Sequence, residues 1–105
     1  MPVNRRDTLS PGKRLYAEKA LEIAGNIRKW RLLKGIKQAE LAIELNISNV
    51  AISKIENGRT DIPLTRLIQI AFILEIKIEL LFHDPMITIA GSLNDPVNSY
   101  KLLGK

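Results

Sequence analysis

A chain of 105 residues with 46% apolar and 26% charged side chains has the content of one folded domain and not the length of two. With no cysteine and one histidine, His83, it excludes disulfides, thiolate nucleophiles and the usual zinc sites. The net charge of +5 is lopsided: residues 1–37 hold ten Lys or Arg against three acids and the rest holds six against eight, which points to a polyanion such as nucleic acid.

No apolar run approaches the roughly 18 residues of a membrane span. The N-terminal MPVNRRDTLSPGKR has basic residues with no apolar stretch behind them, so a secretory signal is not expected. The expectation is a cytoplasmic protein.

In chain order, Ser10 and Pro11 form a helix-start signal, a capping hydroxyl followed by a residue suited to the first helical position. Leu15, Ala20, Ile23, Ile27, Trp30 and Leu33 then keep helical spacing, which predicts an amphipathic helix ending near Lys34 and Gly35. Gly25 leaves two starts open, at Pro11 or afresh near Glu22. Trp30 is read as packing.

A second, short helix is predicted over 38–45, with Leu41, Ala42 and Leu45 inward. NISN breaks it, and a third helix follows over 49–57 with Ile52 and Ile55 inward, stopped by Gly58. After the turn TDIP, Leu64, Leu67, Ile68, Ala71 and Leu74 mark a fourth helix. Residues 76–90 are ambiguous: Ile76, Leu80 and Leu81 suit a fifth helix, whereas Ile76, Ile78 and Leu80 alternate as a strand, with MITIA as a partner. The helical neighbours favour the helix. Beyond Gly91 the composition is that of a mobile tail.

The second and third helices have the residues that a steep crossing requires. Ala42 is small enough to let the third helix approach, Asn46 tolerates a left-handed backbone, and Leu41, Leu45, Ile47, Ile52 and Ile55 fill the angle. Ser48, Asn49, Ser53 and Lys54 project on the opposite face, where base edges would lie.

The segments IRKWRLLKGIKQAELA, NISNVAISKIENGR and LTRLIQIAFILEIKIELLF together resemble the phage repressor and Cro-like helix-turn-helix domains, the XRE family, over residues 22–82. The resemblance implies an all-α, five-helix, lambda-repressor-like DNA-binding domain over 22–83, with a basic helical extension at 1–21 and a C-terminal tail at 84–105. It implies a sequence-specific regulator of transcription, a repressor by expectation, that reads the major groove of double-stranded DNA with residues 49–57 and acts as a homodimer on an inverted repeat.

The resemblance also assigns roles. Gln38 is expected on a phosphate at the start of the second helix, and Ser48, Asn49, Val50 and Lys54 on bases. Ser53 is expected on a base or a phosphate, and Asn57 and Arg59 on the DNA backbone. Arg31 and Glu56 are expected to form an internal ion pair. Alternatives stand at Asn49, a preferred helix cap, and at Val50, which fits either a thymine methyl or a plain surface position. Two residues depart from the family pattern: Lys37 occupies the place of a capping Ser or Thr, and Asp61 puts a negative charge in a loop that should hold DNA.

The other functional readings are an antitoxin that binds its operator and a toxin, motivated by the possible strand after Leu74 and by the residues beyond Gly91, and a metal-dependent nuclease. Glu40, Glu44, Glu56, Asp61 and Glu75 are scattered without paired spacing, so neither enzyme activity nor a metal or cofactor is expected.

Overall fold

The computed structural model describes residues 10–87. The described residues form four α-helices, α1 (Pro11–Leu33), α2 (Gln38–Leu45), α3 (Asn49–Glu56) and α4 (Leu64–Leu74), followed by a 3-10 helix, Ile78–Phe82. There is no strand among them: the ambiguous segment holds the 3-10 helix and, past a break at His83 and Asp84, a helical stretch at 85–87, while residues 88–105, with most of the expected tail, lie outside the described residues. No helix among the described residues is long and apolar enough to cross a membrane.

The two possible starts of α1 resolve into one. Ser10 is extended, its hydroxyl accepts from the Lys13 N–H at 3.5 Å, and Pro11 opens a helix that runs unbroken through Gly25. Its buried stripe differs from the expected one. Ala24, Ile27, Trp30 and Arg31 are buried along with Asn26, whereas Leu15 (66% exposed), Ala20 and Leu33 are not. For Leu15 and Ala20 the reason is length, since over its first turns α1 extends beyond the elements that could cover it; Leu33, the last residue of α1, lies off the face on which Trp30 and Arg31 are buried.

All four α-helices end in the same way. Gly35, Asn46, Gly58 and Glu75 have φ between 56° and 70°, the left-handed region. The N–H of each bonds three residues back, and the next N–H five residues back, as Asn46 to Ile43 and Ile47 to Ala42 do at 3.0 Å each. This double bond satisfies the last carbonyls of a helix and turns the chain sharply. The apolar residue that follows at three of the ends, Ile36, Ile47 and Ile76, is half-buried and tucks back onto the core.

One core joins the elements: Ile27 and Trp30 of α1, Leu41, Ala42 and Leu45 of α2, Ile52 and Ile55 of α3, Ile70, Ala71 and Leu74 of α4, and Leu81. On α4 the expected face is rotated. Leu64 and Ile68 are 65% and 51% exposed, and Ile70 is fully buried, because α4 packs between α2 and the 3-10 helix.

The 3-10 helix is held by polar side chains of α1. Lys19 Nζ, Asn26 Nδ2 and Trp30 Nε1 donate to the carbonyls of Phe82, Leu81 and Leu80 at 2.8, 3.0 and 2.9 Å. Three successive carbonyls thus find side-chain donors at the end of a short 3-10 helix, where the backbone offers only the long bond from the His83 N–H to the Leu80 carbonyl, at 3.4 Å.

Candidate nucleic-acid interface

The geometry of α3 begins in the joint before it. Asn46 adopts φ 56° and ψ 47°, and Ser48 caps the new helix by accepting from the Ala51 N–H at 3.0 Å. Arg66 of α4, which carries no sequence signal beyond its helical position, donates to the Leu45 carbonyl at 3.2 Å and braces the end of α2. Because Ser48 is the cap, Asn49 is the first helical residue and its exposed side chain has no capping role. The helix ends at Glu56, one residue before the expected end.

One face of α3 is fixed and the other is open. Ile52, Ile55 and Glu56 are buried, whereas Asn49, Lys54 and Asn57 are exposed and Val50 is 65% exposed. Ser53 lies half-buried between the two faces, and its hydroxyl accepts from Asn57 Nδ2 at 3.2 Å. Arg59 is exposed just past Gly58. Ser48, Asn49, Val50, Ser53, Lys54, Asn57 and Arg59 therefore share one small helix and its flanks.

Gln38 is placed differently. It opens α2 half-buried, and its Nε2 donates to Glu56 Oε1 at 3.3 Å. Glu56 also takes Arg31 in a two-pronged ion pair, with Nε to Oε2 at 2.7 Å and Nη2 to Oε1 at 3.0 Å, while Arg31 Nη1 donates to the Ile36 carbonyl at 2.9 Å. The side chains of this pair are 7% and 2% exposed, yet no buried polar side-chain atom among the described residues lacks a partner. Lys37, before α2, makes no side-chain cap.

Two further donors stand near this surface without having been singled out by the resemblance. Lys13 and Tyr16 of α1 line a groove with Asn57 and Arg59, and Asp61 lies in the same groove. The clue in the sequence was the basic N-terminal stretch, but helical spacing alone does not say which loop that stretch passes. Among the described residues no three His, Cys, Asp or Glu side chains converge as a metal site.

A family model described as Helix-turn-helix matches residues 27–81, more than half of the chain. Comparison with curated proteins and with solved structures gave no match. The matched residues span the end of α1 through the 3-10 helix, which is the part of the chain that carries the core, the Asn46 joint and α3. That agreement settles the family: the chain belongs to the XRE-type helix-turn-helix proteins, whose fold is that of DNA-binding regulators of transcription and not of an enzyme family.

Proposed function

We propose that the protein is a sequence-specific repressor that binds double-stranded operator DNA as a homodimer, each copy placing α3 in a major groove. The observation that carries this reading is the division of α3, with Ile52, Ile55 and Glu56 anchored in the core and Asn49, Val50 and Lys54 presented on a polar outer face. An Asn amide suits adenine, a Lys ammonium suits guanine or a phosphate, and the exposed Val50 suits a thymine methyl. Ser48 and Ser53 complete the reading edge, and Gln38, Asn57 and Arg59 hold the backbone on either side. Gln38 reaches a phosphate by leaving Glu56, whose Oε1 still has Arg31.

The DNA-binding domain is assigned to residues 22–83, with the earlier part of α1 as an extension. One recognition helix reads few base pairs, so two half-sites about one helical turn apart supply the specificity. The exposed Met86 and Ile87, just past the 3-10 helix, suit a dimer contact better than Ile76, Ile78 and Leu80, which are half-buried in the fold. A cytoplasmic location accords with this role.

The antitoxin reading keeps the same DNA-binding surface and adds a toxin. It is favoured by an apolar patch between α2 and α4, where Ile43 and Phe72 are 76% and 82% exposed beside Glu40 and Glu44. Random-sequence selection with the purified protein, followed by mass measurement of the complex, tests the main reading. Enrichment of an inverted repeat bound by two copies supports it, and recovery of unrelated sequences overturns it. Co-purification of a neighbouring gene product, lost on Phe72→Glu, would favour the antitoxin.

A further inference from the structure

The beginning of α1 contributes little to the core. Over residues 11–21 every side chain is exposed except the half-buried Ala17. The family match starts only at residue 27, so this overhang is a feature of this chain beyond the matched region.

The overhang nevertheless has a fixed course. It passes the loop that follows α3 so closely that a Cβ on Gly58 would lie 2.6 Å from Leu21 Cδ1. From Leu21 it runs back eight residues to Lys13, about 12 Å at helical rise. Lys13 and Tyr16, three residues apart and so on one helical face, line the groove that Asn57 and Arg59 also line. Lys19 and Lys29 are directed elsewhere, to the Phe82 carbonyl and to Asp84.

We propose that this groove holds the sugar-phosphate backbone of duplex DNA outside the bases read by α3, with Lys13 and Tyr16 acting as phosphate ligands beside Asn57 and Arg59. The assignment rests on the DNA-binding reading of Arg59. An ammonium and a phenol are both donors suited to phosphate oxygens, and Tyr16 is 77% exposed, so neither group is buried in order to serve. The overhang of about 12 Å matches the rise of three to four base pairs, which makes the contact one with flanking DNA. Asp61 opposes the phosphate, and the two cations of the groove outnumber it.

The test is fluorescence anisotropy of the full chain on two duplexes that share one selected site. One is trimmed to the site and the other carries about five arbitrary base pairs on each side, enough to cover the flanking contact. Lys13→Ala and Tyr16→Phe should each weaken binding to the extended duplex about 3- to 10-fold, whatever the flanking sequence, and leave the trimmed duplex unchanged. Lys13→Ala should also lower the salt slope by about 1, Lys13→Arg should restore it, and Asp61→Asn should tighten binding. Equal losses on both duplexes, or none, overturn the proposal. So does a smaller assembly of the free variants at unchanged DNA affinity, which would make the groove a contact between proteins. If Lys54→Ala and Arg59→Ala are silent as well, the DNA-binding reading itself has failed; if they weaken binding and the α1 variants do not, only the groove assignment has failed.

Discussion

Gln38 and Arg31 meet on a single oxygen of Glu56, at 3.3 and 3.0 Å. Arg31 lies on the last turn of α1, Gln38 opens α2, and the carboxylate ends α3, so three helices join at one buried point. Removing either member of the Arg31–Glu56 pair strands a charge in the core. Glu56→Ala or Arg31→Ala should cost about 3–5 kcal/mol, read as a fall in the urea midpoint, whereas the double replacement Arg31→Met with Glu56→Leu should cost far less.

The exposed face of α3 gives a prediction about specificity. Asn49→Ala and Lys54→Ala should each lose about 1–3 kcal/mol on the selected site and much less on random duplex, because a base contact has value only on the correct base. Arg59→Ala should weaken both DNAs alike. Binding isotherms on the two duplexes check this, and a uniform loss for all three variants would remove the proposed division between reading and gripping.

Gly58 has both a left-handed backbone, φ +69°, and Leu21 against it. Gly58→Ala should therefore destabilise the domain by about 1–2 kcal/mol from the backbone alone, with an added cost from the close approach. Leu21→Ala in the same chain should recover only the second part. Thermal melts of the two single variants and the double separate the contributions.

Asp84 supplies a pH dependence. A hydrogen bond from the Lys29 ammonium and another from the Met86 N–H hold its carboxyl below the ordinary 3.8, partly opposed by desolvation. A depressed folded value means that stability is fully present above 3.8 and is lost as pH falls through the lower folded value. Relative to Asp84→Asn, the natural chain should hold a constant urea-midpoint advantage at neutral pH that shrinks only below that range.

The order of the helices was legible because each left its own mark: Ser10-Pro11 at a start, Gly35 and Gly58 at stops, and apolar spacing between them. Asn46 was legible as a left-handed joint because few other residues tolerate one. Glu75 was not, since a glutamate at φ 57° carries no such signal and is imposed by the packing of Ile76. The buried faces of α1 and α4 were misread at Leu15, Leu33, Leu64 and Ile68 because periodicity marks an apolar stripe without saying where neighbouring helices stop covering it. At the candidate site, spacing separates the inward Ile52 and Ile55 from the outward Asn49 and Lys54. The bond from Gln38 to Glu56 and the groove that Lys13 shares with Arg59 depend on tertiary placement, which no local pattern encodes.

Trp30 is the chain's one tryptophan, 5% exposed, with its indole N–H on the Leu80 carbonyl. Its emission is accordingly a native optical reporter of the seating of the 3-10 helix. A red shift that precedes loss of helical circular dichroism would signal that this last element lifts away while α1 to α4 remain folded, with no label attached.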